Sequence, residues 1–471
     1  MSVHTFLPTR SESQVKADGE AVHRQLTALT RGQRERIDAI IDKIRRRQDS
    51  AQQGYAVRFD RLAQKRTDGS DAADALVARG QLVVSAGGRS RDDARNVLRR
   101  LDPTYDYAPI RTPDWIVRDA DSIVFTAGGR AAPNLRADIA ALKEQGITAA
   151  LNPIVPLGHT IKGDDLPLRT EVTAGSPGTP LTDPAQRVRV AVVDTGITPE
   201  LRTDQWLWPI PRLLENVDLL DVLPTPGDGR LDWFSGHGSF VSGVVQQIAP
   251  QCEIRVYRFT TSDGLGTEKD VAEAMRRAAQ EAAADGVRLV INASVGVPAV
   301  DGIAPVALGS AVRQIKRDYP NVVMVAAAGN NGDTEPMYPA AFPEVIGVGA
   351  LTAEYDAAPF SSRGDDVDCS AVGVGIVSTF VEGVMPPEPS TPQDDPFIAD
   401  YTFGKNAWAL WSGTSFSAPQ IAAQVARLSQ QENREPADAL KVLLDGTSEQ
   451  LAGFGKVIRG LLAGTPAFPP A

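Results

Sequence analysis

Three short motifs supply an acid, a base and a nucleophile in a fixed order along the chain. They are VAVVDTG around Asp194, SGHGSFVSG around His237 and SGTSFSAP around Ser415. A serine hydroxyl is a poor nucleophile at neutral pH, so it needs a histidine to take its proton and return it to the leaving group. The histidine in turn needs a carboxylate that holds its tautomer and stabilises its positive charge. Together the motifs predict a serine hydrolase.

Each motif taken alone has a structural interpretation as well. Asp194 could cap the turn after its strand, and D-T-G also occurs in aspartic proteases, but the sequence has no second D-T-G or D-S-G. A lone histidine is more often structural than catalytic, yet His237 is the one histidine of four that lies in a catalytic pattern. Ser415 stands where a helix is predicted to begin, so its oxygen faces free N–H groups and the positive end of the helix dipole.

A fourth element should bind the negative oxygen of a tetrahedral intermediate. The apolar run NVVMVAAAGNNGD reaches Asn330 at a predicted junction between a strand and a loop. Its side-chain amide is an uncharged donor, which stabilises developing charge without binding the ground state too tightly. Asn330 is therefore the predicted oxyanion donor.

These four residues, in this order and in these contexts, resemble the subtilisin-like serine proteases, the subtilases. The resemblance runs from about Arg187 to about Leu444 and includes the lesser motifs INASVG, DGLG and YPAAFPEVIGVGA. The chain departs from the usual pattern after the serine, where Phe416 and Gln420 replace a methionine and a histidine. The stretch from Val245 to Ile254 is short, so the calcium loop of many relatives is expected to be missing, and no metal or other cofactor is predicted.

The resemblance implies an endopeptidase that acts through an acyl-enzyme. Ser415 would be the nucleophile, His237 the acid and base, Asp194 the orienting carboxylate, and Asn330 with the Ser415 N–H the oxyanion hole. An extended peptide substrate would add as a strand between two backbone edges. The pocket lining would be apolar, which implies a preference for apolar residues before the cut. The implied substrate-binding residues are Gly264, Leu265, Gly266, Ser294, Val295, Gly296, Ala328 and Gly329.

Alternating strands and helices after residue 187 predict an α/β catalytic domain with a doubly wound parallel sheet. The predicted strands are Val188–Val193, Arg255–Phe259, Arg288–Ile291 and Val322–Ala327, and Thr267 should cap a helix that runs to about Ala284. Reactive groups in such sheets gather at the carboxyl ends of the strands, where Asp194 and Asn330 fall.

The remaining residues suggest a chain of several parts, since 471 residues are long for one domain. Residues 1–80 are predicted to be a helical arm, with apolar positions at helical spacing from Val22 to Ile44. Residues 81–162 have the order β-α-β-β-α-β, an α+β pattern that matches the propeptide fold of many subtilases. Residues 163–186 are predicted to be a linker, and 187–471 the catalytic domain. In that family such a propeptide inhibits its own enzyme, and the alternative is a permanent accessory domain.

Composition limits the partners and the location. The net charge of −11 argues against general affinity for nucleic acid, although residues 1–66 carry 14 Lys and Arg against 8 Asp and Glu. No secretory signal or membrane-spanning run is visible, and Cys252 and Cys369 give no disulfide framework. These features predict a cytoplasmic protein with buried thiols that contacts neither membranes nor nucleic acid.

The sequence contains two insertions whose role is open, and it permits two alternative functions. Residues 201–233 and 380–411 lie beside catalytic motifs, so they could narrow the cleft to one partner or simply elaborate the surface. The chain could also be a pseudo-protease scaffold that binds peptides or partners without cutting them. A dedicated maturation protease for one peptide would differ only in substrate range.

Overall fold

The computed structural model describes residues 7–29, 59–64, 75–85, 91–107, 122–127, 132–156, 167–183, 186–222, 227–262, 264–385 and 402–466. The amino-terminal part of the described chain contains five strands and three helices. They are β1 (Phe59–Leu62), β2 (Ala75–Ser85), β3 (Asp106–Tyr107), β4 (Ser122–Thr126), β5 (Ala149–Pro156), α1 (Glu12–Leu29), α2 (Arg91–Leu101) and α3 (Ala132–Glu144).

The rest of the described chain holds the larger unit and the segment that leads into it. Its strands are β6 (Leu168–Thr170), β7 (Val188–Asp194), β8 (Glu253–Arg258), β9 (Leu265–Thr267), β10 (Arg288–Ala293), β11 (Val297–Pro298), β12 (Val323–Ala327), β13 (Met337–Tyr338), β14 (Ile346–Leu351), β15 (Cys369–Val372), β16 (Ile376–Thr379), β17 (Gly383–Val384), β18 (Thr402–Phe403), β19 (Trp408–Trp411), β20 (Gln450–Leu451) and β21 (Gly455–Val457). Its helices are α4 (His237–Ile248), α5 (Glu268–Ala284), α6 (Val306–Asp318), α7 (Thr414–Gln431) and α8 (Pro436–Asp445).

The main sheet has the order β20-β21-β15-β14-β12-β10-β7-β8, and all neighbours except β20 and β21 are parallel. All seven residues of β7 are buried, as expected of a parallel strand covered on both faces. One face packs on α5 and α6, and the other on α4, α7 and α8. The predicted doubly wound α/β architecture is therefore confirmed, with strand ends displaced by one or two residues.

The predicted cap of α5 is also present. The Thr267 hydroxyl accepts a hydrogen bond from the Asp270 N–H, and the Asp270 carboxylate accepts one from the Thr267 N–H. This capping box satisfies two N–H groups that the first turn leaves without partners. It fixes the point at which β9 ends and α5 begins.

The amino-terminal sheet is antiparallel, with the order β3-β4-β2-β5-β9 and β1 paired with β2. One face packs on α2 and α3, and the other joins the core formed by α5 and α6. Its last strand, β5, pairs with β9 of the larger unit, Val155 opposite Gly266. The sheet thus continues from one unit into the other.

Several predicted boundaries are corrected by these elements. The boundary between residues 80 and 81 falls inside β2, and residues 59–62, assigned to a helical arm, form a strand. Within the predicted linker, β6 pairs with β19. These pairings connect distant residues, so the local pattern could not indicate them. The part of the predicted helical arm from residue 30 to residue 44, and residues 114–119 of the predicted α+β unit, lie outside the described residues.

Helix α1 is held on the larger unit by a buried carboxylate. Asp18, 2% exposed, accepts hydrogen bonds from Arg10 Nη1 at 2.6 Å, Gln14 Nε2 at 2.6 Å and Thr170 Oγ1 at 2.8 Å. Val22, one turn further, packs in a cluster with residues that follow β14 and β15. In the described part of the chain, no helix is long and apolar enough to cross a membrane.

The two insertions pack against each other. Arg202, 1% exposed, donates from Nη1 to the carbonyl oxygens of Phe380 at 2.9 Å and Ala407 at 2.8 Å. The rings of Trp206 and Trp408 meet edge to face, with centroids 5.2 Å apart. The first insertion therefore supports the second, which reaches the candidate site.

A buried carboxyl group between α5 and α6 gives a test of this packing. Glu268 is fully buried, and its Oε2 accepts hydrogen bonds from the Ala307 and Leu308 N–H groups at the start of α6. Burial raises the pKa of Glu268 to about 8. Between about pH 4.5 and 8 the folded protein therefore binds more protons than the unfolded chain, so this residue lowers the free energy of unfolding as pH rises.

Glu268→Gln is expected to remove this pH dependence. In the parent chain the contribution falls by about 1.4 kcal/mol for each pH unit inside that window. The measurement is urea unfolding at pH 5.5 and 7.5 in a Ser415→Ala background, which removes the predicted nucleophile. Glu144→Gln, at the exposed end of α3, is the control and should follow the parent. Parallel pH profiles for the parent and Glu268→Gln would contradict the expectation.

Candidate active site

The acid and base predicted from the sequence form a hydrogen-bonded pair. Asp194 ends β7 and His237 begins α4, and both side chains are fully buried. His237 Nδ1 lies 2.8 Å from Oδ1 and 2.9 Å from Oδ2 of Asp194. Because an ionised carboxylate can only accept, Nδ1 carries the hydrogen, and the other ring nitrogen of the neutral imidazole is the basic one.

The two residues beside His237 are glycines because a side chain would not fit at either position. Gly236 has a φ of 81°, which favours glycine, and a Cβ there would lie 2.9 Å from the Phe380 ring. A Cβ on Gly238 would lie 2.2 Å from the carbonyl oxygen of Gly196, which follows the Asp194 strand. The G-H-G sequence is therefore what allows the histidine to approach the aspartate so closely.

Ser415 is the second residue of α7 and is fully buried. Its Oγ donates to the carbonyl oxygen of Ser294 at 3.4 Å, a long hydrogen bond. The ring of Phe416, the next residue, lies 5.4 Å from the imidazole centroid, so the start of α7 packs next to His237. Proton transfer from Ser415 to His237 requires the hydroxyl to turn from Ser294 toward the ring.

Pro419 and Ser294 together fix the backbone at Ser415. Proline has no N–H, so Pro419 cannot donate to the Ser415 carbonyl one turn earlier, as a helical residue normally would. The Ser294 hydroxyl donates to that carbonyl instead, at 2.9 Å, and itself accepts from Asn292 Nδ2 at 2.9 Å. The S-A-P sequence thus ties the start of α7 to the end of β10.

Asn330 is held by the residue before Ser415. Its Oδ1 accepts from the Thr414 N–H at 2.9 Å and from the Thr414 hydroxyl at 2.8 Å. Because a backbone N–H can only donate, the accepting atom must be the amide oxygen, and Nδ2 is the donor end. Asn330 is 2% exposed, and Thr414 fixes which end of its amide is the donor.

The predicted substrate edges lie on β9 and after β10. Gly264 comes just before β9, and Leu265 and Gly266 belong to it. Ser294, Val295 and Gly296 connect β10 to β11. The β9 edge is occupied by β5 of the amino-terminal unit.

The predicted pocket residues meet at Met337, which the sequence reasoning missed. A Cβ on Gly329 would lie 2.8 Å from Met337 Cγ, and one on Gly296 would lie 3.2 Å from its Cε. Gly329 has a φ of 105°, and its neighbour Ala328 is buried. The structure therefore brings residues 296 and 329 to the same apolar side chain.

Aromatic residues of the second insertion enclose the imidazole. Trp411 meets the His237 ring edge to face at 5.2 Å, and Phe380 lies 6.1 Å from Trp411. Phe416, which departs from the usual pattern, packs on the imidazole ring of His237. Gln420, the second departure, donates to the carbonyl oxygens of Val372 and Phe416. These departures from the usual pattern fill space and satisfy backbone groups.

The described residues contain no group of three or more His, Cys, Asp or Glu side chains placed to hold a metal ion. Cys252 and Cys369 are both buried and unlinked, as expected from their apolar contexts. Burial raises the pKa of the Cys252 thiol to about 12, and it raises the pKa of Cys369 as well. Both thiols are therefore protonated and unreactive near neutral pH.

Comparison with known proteins agrees with this geometry. The model of the subtilase family matches residues 185–458, more than half of the chain. The chain is 28% identical over 298 residues to a thermophilic serine proteinase of Bacillus sp. (strain AK1), covering 60% of each protein. It is 27% identical over 280 residues to thermitase of Thermoactinomyces vulgaris, covering 57% of this chain and 83% of thermitase.

The matched region spans only part of several relatives, for instance 56% of a subtilisin of Bacillus sp. (strain TA39). Among solved structures, fervidolysin from Fervidobacterium pennivorans, described as a keratinolytic enzyme related to subtilisin, aligns with a TM-score of 0.55 at 20% identity. The alignment covers 81% of this chain and 60% of fervidolysin, which shows a common fold.

Proposed function

Because the chain belongs to the subtilase family, we propose that it is a serine endopeptidase that cuts peptide bonds through an acyl-enzyme intermediate. The observation that carries this proposal is the buried pair of His237 and Asp194, beside a serine at the start of α7. In such a pair, the ring nitrogen that does not face the carboxylate is the one that accepts a proton from a serine hydroxyl.

In the proposed reaction, His237 removes the proton from the Ser415 hydroxyl as its oxygen attacks the substrate carbonyl. Asp194 holds the ring and stabilises the imidazolium that forms. The Ser415 N–H and Asn330 Nδ2 bind the negative oxygen of the intermediate. The oxygen of the ground-state carbonyl would lie further from these two donors. Histidine then gives its proton to the leaving amine, and water hydrolyses the acyl-enzyme by the same steps.

The proposed substrate is an extended peptide with an apolar residue before the cut. Backbone groups of Leu265, Gly266 and residues 294–296 would pair with it as with an added strand. The pocket side is supplied by Ala328, Gly329 and Gly296 against Met337, and none of these residues carries a charge. An apolar side chain would therefore lose water there without leaving a polar group unpaired.

A fluorophosphonate probe tests the catalytic proposal directly. It should label the folded protein at Ser415, located by mass spectrometry of the proteolysed adduct, and Ser415→Ala should stay unlabelled. A scaffold that binds peptides without cutting them would give no label in either protein. A panel of peptides that differ before the cut should be cleaved fastest when that residue is apolar, and a narrow response to one peptide would favour a dedicated maturation protease.

We further propose that the amino-terminal unit inhibits the enzyme as a zymogen would. Its strand β5 pairs with the edge that a substrate would use, and Ile154 and Val155 are buried in the core shared with α5 and α6. An ion pair between Arg136 and Asp301, at 2.6 Å, joins the two units at the rim. A substrate must displace this strand before it can pair with β9.

Val155→Asp is expected to raise peptidase activity of the full chain at least about tenfold. The substitution buries an unpaired charge between the units, which costs several kcal/mol and loosens β5 from β9. Initial rates on a short peptide, normalised to fluorophosphonate-labelled enzyme, measure the effect. Thr148→Asp, an exposed position just before β5, is the control and should match the parent. An unchanged or lower rate for Val155→Asp would favour a permanent accessory domain.

A further inference from the structure

Asp218 is a buried carboxylate that the proposed reaction does not use. It is 1% exposed and lies in the first insertion, well away from the sequence motifs. Its Oδ2 accepts hydrogen bonds from the Gly236 N–H at 2.8 Å and from the Thr195 hydroxyl at 3.0 Å. Its Oδ1 accepts a longer one from the Leu220 N–H, at 3.3 Å.

These partners lie on both sides of the acid and base pair. Thr195 follows Asp194, and Gly236 precedes His237. The Thr195 hydroxyl also accepts from the Gly238 N–H at 3.1 Å, so the residue after His237 belongs to the same network. One carboxylate oxygen therefore connects the end of β7 to the start of α4.

The backbone that carries Asp218 is itself fixed to the Asp194 strand. The Asp218 N–H donates to the Ile197 carbonyl at 2.9 Å, and the Ile197 N–H donates to the Asn216 carbonyl at 2.9 Å. A Cβ on Gly196 would lie 2.6 Å from the Asp218 nitrogen, so the two segments are in close contact. A displacement of the Asp218 carboxylate would therefore shift Thr195 and Gly236, which are hydrogen-bonded to it.

We propose that Asp218 is a positioning residue that holds Asp194 and His237 at their hydrogen-bonding distance by fixing the backbone beside each. This role rests on the proposed function, because it is defined by the reaction of that pair. The Thr195 hydroxyl can donate to Asp218 and accept from Gly238 at once only while the carboxylate accepts. Replacing the acceptor with a donor reverses or breaks that arrangement.

Ionisation of Asp218 adds a dependence on pH. Burial, together with the negative charge of Asp194 on β7, raises the pKa of Asp218 to about 6. The hydrogen bonds from Gly236, Leu220 and Thr195 act in the opposite direction and lower the pKa. His237 on α4 pairs with Asp194 through Nδ1. As pH falls through about 6, Asp218 takes up a proton, and it can no longer accept at both oxygens in the same way. The positioning contribution should therefore be present above that pH and be lost below it.

The test compares Asp218→Asn with a matched control in the full chain. Asp221→Asn removes another acidic residue of the same insertion, whose oxygens accept from the Asp228 and Gly229 N–H groups and not from the catalytic pair. Asp218→Asn should lower kcat on the order of 100-fold, as a small misplacement of reacting groups does, with KM within about twofold. Asp221→Asn should keep both constants.

Three further readouts separate positioning from simple destabilisation. Thermal unfolding shows whether Asp218→Asn is folded. If it is not, Thr195→Val is used in its place, since it removes the hydroxyl that bonds Asp218 and Gly238, and it should lower kcat about tenfold. Below pH 6, the kcat of Asp218→Asn should approach that of the parent, since protonation has already removed the contribution there. In the double variant, Thr195→Val should add little to Asp218→Asn, because both break one network.

The outcomes are distinct. A folded Asp218→Asn with an unchanged kcat and only a lower unfolding temperature would overturn the positioning role. Absence of fluorophosphonate labelling in the parent would overturn the proposed function and the positioning role with it. Two results together support the proposed function and the positioning role. The parent is labelled and Ser415→Ala is not, and the kcat of Asp218→Asn is below that of the parent at neutral pH but equal to it at acid pH.

Discussion

Replacing Ser415 with alanine is expected to lower kcat by on the order of a millionfold, the loss that follows removal of the nucleophile in subtilisin. Stability should change little, since among the described residues the hydroxyl makes one hydrogen bond, to the Ser294 carbonyl at 3.4 Å. Steady-state hydrolysis of a peptide and thermal unfolding of the same preparation measure the two quantities. Retained proteolysis in a clean Ser415→Ala preparation would refute the nucleophile assignment.

Ser417→Ala is the matched control for this experiment. Its hydroxyl is also buried at the start of α7, but it donates to the Thr414 carbonyl at 3.1 Å. Among the described residues it makes no hydrogen bond to His237 or Ser294. Its activity should stay within a few-fold of the parent. A large loss in Ser417→Ala would mean that the geometry of the helix start, and not the Ser415 hydroxyl, is what the alanine disturbs.

The same variant tests whether the enzyme itself removes the amino-terminal unit. Mass spectrometry of the intact parent and of Ser415→Ala should show whether about the first 165 to 185 residues are lost in the parent alone. Such a loss would establish self-processing and agree with the inhibitor role of β5. An active enzyme of full length would instead favour the permanent accessory domain.

Asp194→Asn is expected to lower kcat by about 10⁴-fold while the fold is kept, as the equivalent change does in chymotrypsin-type enzymes. The Thr195 N–H donates to Oδ1 of Asp194 at 2.7 Å, so the amide oxygen of the asparagine should stay at that position. Its NH2 group would then replace Oδ2, 2.9 Å from His237 Nδ1. That donor competes with the amide oxygen, which stays 2.8 Å from Nδ1, so the hydrogen is held less firmly on Nδ1 and Nε2 accepts the proton of Ser415 less well. The neutral amide also no longer stabilises the imidazolium.

Steady-state hydrolysis and the rate of fluorophosphonate labelling should fall together in Asp194→Asn. Asp438→Asn, on the exposed surface of α8, is the control and should label at the parental rate. A labelling rate close to that of the parent would show that the carboxylate does not set the tautomer. The assignment of His237 as the base would then lose its structural support.

The elements of the catalytic unit could be predicted from the sequence because their signals are local. The buried strand before Asp194 and the capping residue Thr267 each follow from residues that are neighbours along the chain. The G-H-G and S-A-P sequences likewise restrict the backbone where they stand. The cytoplasmic location inferred from composition stays a prediction.

Contacts between distant residues could not be predicted in this way. Asp218 follows no motif, and its partners come from segments about twenty residues away on either side. The pairing of β6 with β19 and the support of the second insertion by Arg202 join residues about 200 or more apart. Such contacts depend on shape and hydrogen-bond complementarity that periodicity does not record.

The sequence by itself determined the fold class, the order of acid, base and nucleophile, and the small residues that let their backbones meet. These depend on side-chain chemistry and on conformations that each residue type permits. Only the tertiary structure decided that β5 occupies the β9 edge, that Asn330 presents its amide donor through Thr414, and that Asp218 ties Thr195 to Gly236. Each of these is set by atoms that come within 3 Å or so only after the two sheets and their helices have packed.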